Sequence, residues 1–581
     1  MHRFLTFALL FILSIQPVLA SGVNRAPTPN LKSSVEAYLN NAEAFGFSGS
    51  VLLVVDGKML VHKGYGIADR TRGVPVKADD VFDIGSVTKQ FTAAAIMKLE
   101  MQGKLKTEEL ISKYLDGVPA DKAGITLHQT LTHTAGFVNY SGGDYDVAER
   151  DETIARILKA PLTHQPGAQM RYSNSAYSIL AAIIEKVSGQ GYETFLAEQF
   201  FKPAGMSSTG YVLPKFDKAK LPRAYEAGKD LGTALDHKWS PNGPYWNLFG
   251  NGGIFSTTGD LYKWYLALRG DKVLSAAVKT KLFTPALNNY AYGWDVSKTP
   301  MGLLITHNGA SDNGFNADFG FFPEKNTVGI VLSNAGSFMD TRIHSSIILD
   351  TLGRMLAGET VIKPTKSKFA KLDAAALTKL SGKYRLENGD EFRVSTFDGR
   401  LAIEPSGQSA ILALGQFPAE DPALSSANEK AKPVAGAIVK KDFSVFKENL
   451  ADPASFDRLK GAVEQRIAEW EKTDGAYKSF SIEGTGMSWW SGAPQPATFV
   501  KIQFEKQSRL FRLHWKDGKI VNIGGAAVPA PITIPLQPTS PTEFVGWHLI
   551  TTRPIDVQFS ADGSKLTVTA NGATSTATRV G

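Results

Sequence analysis

At 581 residues, 43% hydrophobic and 20% charged, the composition excludes a disordered, collagen-like or coiled-coil chain and predicts about two to four domains with cores of their own. The absence of cysteine removes disulfides, a thiolate nucleophile, zinc–cysteine sites, iron–sulfur clusters and a lipidated cysteine anchor. The net charge is +7, but its cations are interspersed with acids, so nucleic acid is not an expected partner.

The first element is a leader. Arg3 precedes an apolar run over residues 4–15, and Val18-Leu19-Ala20 ends it with small residues at a cleavage position after Ala20. The run is too short for a membrane span of about 20 residues. Residues 1–20 therefore read as a signal peptide, leaving a periplasmic or secreted protein with no membrane anchor after cleavage. Residues 49–66 read as a hairpin around Asp56-Gly57, a strong two-residue turn signal. Helical spacing comes next at 87–101 and 176–187, then strands near 303–306, 318–322 and 328–333, and an apolar helix over 343–356. Strands early and late with helices between predict one sheet with helices packed on it, an α+β arrangement.

Beyond residue 362 the texture changes. A lysine-rich linker carries Lys363, Lys366, Lys368 and Lys371, read as solvated rather than as a binding patch. The turn pairs Asn388-Gly389, Asp398-Gly399, Asp517-Gly518 and Asp562-Gly563 stand beside β-rich runs such as 504–514 and 565–570. They predict an antiparallel sheet or barrel. One amphipathic helix interrupts it, with Phe456, Leu459, Val463, Ile467 and Trp470 as a core-facing stripe. The Pro- and Ala-rich stretches 417–437 and 527–541 read as loops.

For chemistry, Ser, Thr and Lys are the candidate nucleophiles. His128 and His133 lack the spacing of a helical zinc pair, and no G-x-S-x-G occurs. No metal and no cofactor is implied. Ser86-Val87-Thr88-Lys89 at a helix start places a lysine one turn from a serine, where a desolvated neutral amine can take the hydroxyl proton. A second S-x-x-K, Ser444 to Lys447, has no such support around it. Tyr172-Ser173-Asn174 precedes a helix, and His307-Asn308-Gly309 follows a strand. With these three motifs in order, the chain resembles the serine β-lactamase and penicillin-binding-protein superfamily. The likeness is to the branch of class C β-lactamases, D-aminopeptidases and related esterases, over roughly residues 30–360. Softer features of the resemblance are Leu131 to Gly136, Gly252-Gly253, and Ser256-Thr257 with Asp260; turn and cap roles are expected for His133, Gly136, Gly253 and Asp260.

The resemblance implies a β-lactamase/transpeptidase-like antiparallel sheet flanked by helices, in a hydrolase domain at 26–360. It also implies an acyl-enzyme on Ser86. Lys89 and Tyr172 would share the base and acid roles, and Asn174 would bond Lys89 or the substrate amide. The amides of Ser86 and Ala310 would form the oxyanion hole, and Gly309 would let an edge strand lie close to the substrate. Where the family carries a lysine, this chain carries His307, a cation only while protonated, near pH 6.5 for a free histidine. That shifts the expectation from a β-lactamase toward an esterase or an enzyme of D-amino-acid-containing peptides. A class C-like β-lactamase and a catalytically silent penicillin-binding sensor are the alternatives. The expected partner is a small-molecule or peptide substrate; oligomeric state is open. After a linker at 361–372, Leu380-Ser381-Gly382-Lys383-Tyr384 resembles the start of lipocalin-like domains appended to this family. This implies a mostly β, barrel-like C-terminal region at 373–581, as one body or two. By resemblance, such tails often cover or line the active-site cleft.

Overall fold

The computed structural model describes residues 31–226, 229–236, 239, 243–337, 345–364, 368–397, 399–415, 422–490, 493–526, 532–549 and 552–581. The apolar leader, part of the lysine-rich linker and Asp398 lie outside them. The chain divides into two compact units, with main bodies Phe47–Ser337 plus Ile343–Glu359, and Thr360–Gly581. Among the described residues no helix is long and apolar enough to cross a membrane.

The first unit is built on a six-stranded antiparallel sheet. Strands β1 (Gly49–Val55) and β2 (Lys58–Tyr65) form the hairpin expected around Asp56-Gly57, both of which adopt positive φ. Strands β3 (Asp295–Thr299), β4 (Gly302–Ala310), β5 (Asn316–Phe322) and β6 (Thr327–Ser333) complete the order β2-β1-β6-β5-β4-β3. Every residue of β5 and β6 is buried, because helices cover both faces. Leu261, Trp264 and Tyr265 of one helix join the core with Val328, Ile330 and Leu332. On the opposite face, Leu349 of helix Ser345–Leu356 lies over Gly329 and Gly320. Covered on both sides, β6 reads from Val328 to Leu332 as a continuous apolar run rather than an alternating one.

Three helices carry the motif residues or the loops that hold them. Helix α1 (Lys89–Met101) is preceded by a 3-10 turn, Gly85–Thr88. Helix α2 (Leu127–Leu131) opens on a capping box between Thr126 and Gln129. Helix α3 (Asn174–Ser188) is capped by Ser173, whose hydroxyl accepts the Ala176 amide at 3.0 Å. The middle residue of Tyr172-Ser173-Asn174 is therefore the cap, and it sets the other two at the helix mouth.

The second unit holds a closed barrel of eight strands, filled by apolar side chains such as Tyr384, Phe392, Phe544, Phe559 and Val568. Inserted in its sequence is a four-stranded antiparallel sheet (477–490, 493–504, 508–516 and 519–526). The predicted amphipathic helix, Phe456–Asp474, packs on that sheet through Leu459, Val463, Ile467 and Trp470. Two expectations fail here. Residues 422–438 form a helix rather than a loop. Ala427, Ala431, Val434, Ala435 and Ile438 recur at helical spacing and are buried, while Pro433 sits on the exposed face. The stretch 527–541 is also not all loop, since Ile534–Pro538 is a fully buried barrel strand; residues 527–531 lie outside the described chain. The run 504–514 is broken by a turn between strands ending at Phe504 and starting at Ser508.

Candidate active site

Between residues 81 and 97, Ser86 alone is not buried. The 3-10 turn pushes its hydroxyl outward, while Lys89 opens α1 with no exposure at all. Asp83 secures the turn from below by accepting the Gly85 amide at 2.8 Å and the Asn313 side chain at 3.2 Å. By contrast Ser444 and Lys447, the second S-x-x-K, are both exposed, and Ser444 donates to Asp442.

Lys89 Nζ lies 3.1 Å from Ser86 Oγ, 2.6 Å from Asn174 Oδ1 and 2.7 Å from the Asn251 carbonyl oxygen. Burial holds its ammonium well below the usual lysine range, with Asp144 pulling the other way. A neutral amine has two N–H groups and one lone pair. Both amide oxygens can only accept, so they take the two N–H groups and leave the lone pair for the Ser86 hydroxyl. Asn251 escaped the sequence reading, because a backbone carbonyl ligand carries no residue signature. Its own side chain is fixed by the Ser178 hydroxyl and the Asn247 carbonyl.

Tyr172 is buried, hydrogen-bonded to Ser86, and held by burial well above the usual phenol range. It therefore offers a proton rather than a phenolate. The segment carrying it is fastened to the loop after α2: the Asn174 amide donates to Asn139 Oδ1 and the Ser173 hydroxyl to the Val138 carbonyl.

Strand β4 is paired with β3 only along Gly302–Thr306, so from His307 onward it is flanked by β5 alone. It is an interior strand that becomes an open edge at the motif. A Cβ on Gly309 would lie 2.1 Å from the Ile84 carbonyl oxygen and 2.8 Å from the Ser86 nitrogen. The missing side chain thus admits the serine-bearing turn itself. Ala310 stands next, at the exposed end of the strand.

His307 differs most from expectation. Its Nδ1 lies 2.6 Å from the Asn308 carbonyl and so carries the proton; its Nε2 accepts the Tyr290 hydroxyl at 3.0 Å. Burial, with Lys89 beside it, pushes it down to about 3. The imidazolium expected near pH 6.5 is not what this site presents.

A serine, a buried lysine, a tyrosine and an asparagine thus converge from α1 and α3 on the end of β4. The beta-lactamase family model matches residues 41–351. The chain belongs to the beta-lactamase family. The match takes in all seven predicted site residues of this beta-lactamase-family chain. Penicillin-binding protein 4* of Bacillus subtilis (strain 168) is 29% identical over 404 residues, 65% of this chain and 88% of that one. The putative penicillin-binding protein PbpX of the same organism is 33% identical over 299 residues, 51% of this chain and 72% of that one. Among solved structures, the octameric penicillin-binding protein homologue from Pyrococcus abyssi has a TM-score of 0.49 at 22% identity, covering 83% of this chain and 99% of that chain. The D-amino acid amidase from Ochrobactrum anthropi SV3 has a TM-score of 0.49 at 21% identity, covering 57% and 99%.

Proposed function

We propose that the chain is an exported serine hydrolase that cleaves a carboxylic ester or an amide, including amides of D-amino acids, through an acyl-enzyme on Ser86. The observation that carries this reading is the set of partners on Lys89 Nζ, two carbonyl oxygens and the Ser86 hydroxyl, around an amine that burial holds well below the usual lysine range. Ser86 Oγ attacks the carbonyl carbon as Lys89 Nζ takes its proton. The oxyanion is received by the amides of Ser86 and Ala310, where one donor is worth about 3–4 kcal/mol. Tyr172, bonded to Ser86, passes a proton to the departing oxygen or nitrogen. The Lys89 ammonium returns its proton to the Tyr172 oxygen, which restores the neutral amine. Water then attacks the acyl carbon as Lys89 takes its proton, and that proton passes to Ser86 Oγ as the acid is released. The apolar leader supports export.

A fluorophosphonate probe should label Ser86 and leave Ser86→Ala unlabelled; an unlabelled, folded wild-type chain would overturn the reading. The names of the two Bacillus relatives favour a second reading, acylation by β-lactams. Against efficient β-lactam recognition stands the lack of a fixed cation in the site: burial pushes His307 down to about 3 and holds Lys89 well below the usual lysine range. Nitrocefin turnover faster than that of any ester or D-amino-acid anilide would reverse the ranking.

The neutrality of His307 makes a pH prediction. A group already deprotonated from about pH 5 to 8 cannot confer a charge preference that titrates there. The ratio of kcat/KM for an anionic ester to that for its neutral analogue should follow the same pH course over that range in His307→Gln as in the parent. Any slope belongs to Asp83 and Asp144, which burial raises to about 6 and about 8. A fall through about 6.5 in the parent that the glutamine variant lacks would restore the imidazolium reading. The separate kcat/KM curves should both rise on an acid limb set by Lys89, well below the ordinary lysine value.

A further inference from the structure

His133 takes no direct part in the chemistry at Ser86, yet it holds both sides of Tyr172. The Arg171 amide donates to the His133 carbonyl at 2.9 Å, and the Ser173 amide donates to His133 Nδ1 at 3.1 Å. The imidazole ring also packs on the Tyr172 ring, with centroids 4.3 Å apart, and on Tyr290 and Tyr177 at 4.7 and 5.0 Å. To deliver these contacts the residue takes φ of 57°, a left-handed conformation uncommon for a side chain with a Cβ.

The hydrogen bonding fixes the tautomer. A backbone amide only donates, so Nδ1 must be the bare nitrogen and the ring proton must sit on Nε2. That Nε2 is buried and has no hydrogen-bond partner among the described residues. An imidazolium would need a proton on Nδ1 as well, facing the Ser173 N–H. Burial, together with Lys89 and His307, opposes that charge too. A buried donor without a partner weakens a fold, and so does a left-handed backbone at a residue other than glycine. Both are tolerated at a residue whose shortest hydrogen bonds and nearest ring contact are to the segment 171–173.

We propose that His133 is the positioning residue for Tyr172: a fixed-tautomer acceptor and ring platform that aims the phenol at Ser86. This rests on the reading of Ser86, Lys89 and Tyr172 as the catalytic groups. His133 touches none of the reacting atoms. Its effect should therefore pass entirely through Tyr172.

Two replacements tolerate the left-handed backbone and both lack the ring. His133→Asn can place Oδ1 where Nδ1 stands and keep the Ser173 amide bonded; His133→Gly cannot. The expected result, on an alkyl ester whose leaving group needs a proton, is kcat about 50-fold lower for His133→Gly, with KM within about threefold. For His133→Asn, kcat should fall no more than about fivefold. In a Tyr172→Phe background, adding His133→Gly should lower kcat by less than about threefold, since there is no phenol left to aim. Losses that multiply in that background would overturn the inference, as would a folded His133→Asn chain no more active than His133→Gly. Near-ultraviolet circular dichroism and thermal melts establish that each variant is folded. Should the glycine variant not fold, a folded His133→Asn chain whose kcat is down about 50-fold overturns the inference, and one within fivefold supports it. Ser86→Ala separates the two failures. If Ser86→Ala still turns over, the catalytic reading falls; if it is inert while the cycle is multiplicative, only the role of His133 falls.

Discussion

Replacing Lys89 with methionine should slow acylation of Ser86 by about 10³- to 10⁴-fold, the upper range for losing a positioned general base. Methionine fills the volume of the alkyl stem and packs in an apolar site. The chain should therefore remain folded, with Tm within about 5 °C of the parent, although Asn174 Oδ1 and the Asn251 carbonyl lose their donor. Lys89→Arg discriminates between two roles. A guanidinium stays protonated throughout the accessible pH range and has no lone pair to offer. If Lys89 acts as a base, arginine should be as inactive as methionine. If it acts only as a charge beside the oxyanion, arginine should recover much of the rate. Stopped-flow acylation with a chromogenic ester reads this step directly, and recovery in the arginine variant would refute the lone-pair argument.

The second large effect is expected from one methyl group. In Gly309→Ala the new Cβ would meet the Ile84 carbonyl oxygen at 2.1 Å and the Ser86 nitrogen at 2.8 Å. Both are backbone atoms, so no side chain can swing aside, and the strand or the serine turn must move. The overlap should destabilise the unit by about 2–4 kcal/mol. Displacement of the Ser86 amide should lower kcat by a further factor of about 10², the loss typical of one oxyanion donor. Gly353→Ala is the matched control. It lies inside helix Ser345–Leu356, where a Cβ would meet nothing within 4 Å. It should stabilise the chain by about 0.5–1 kcal/mol and leave kcat alone. Chemical denaturation and turnover on the same samples give both answers; equal behaviour of the two variants would show that the close approach at Gly309 is unimportant.

How much the chain disclosed in advance depends on the range of the interactions involved. Ser86 and Lys89 were legible because their one-turn spacing stands in order with Tyr172-Ser173-Asn174 and His307-Asn308-Gly309, whereas the same spacing at Ser444 and Lys447 stands alone. The Asp56-Gly57 hairpin and the stripe from Leu459 to Trp470 were legible because their signals are wholly local. Asn251 was not, because it acts through a carbonyl that any residue possesses, brought in from 162 positions away. The charge state of His307 was not legible either. It depends on burial and on Tyr290, and its sequence neighbours disclose neither. His133 appeared as a turn residue, which its backbone is; that its ring lies on Tyr172 is a result of the folded path of the loop. The helix at 422–438 was concealed by Pro433, a helix breaker that here lies on the solvent side of an alanine-rich stripe. Hairpin signals revealed the strands of the second unit, but closure of eight of them into a barrel is a property of all their registers together.

The bonds on Lys89 Nζ also set an order of events during folding. Ser86 and Lys89 meet within a single turn, but Asn174 and Asn251 are 85 and 162 positions distant. Local helix forms in about a microsecond, whereas contacts between distant segments wait for loop closure and packing. A refolding chain would thus possess its helical signal, and the serine and lysine side by side, well before the amine is desolvated enough to act as a base. Competence to react with a serine probe would come last, so the rate at which it returns reports completion of the tertiary structure rather than of its helices.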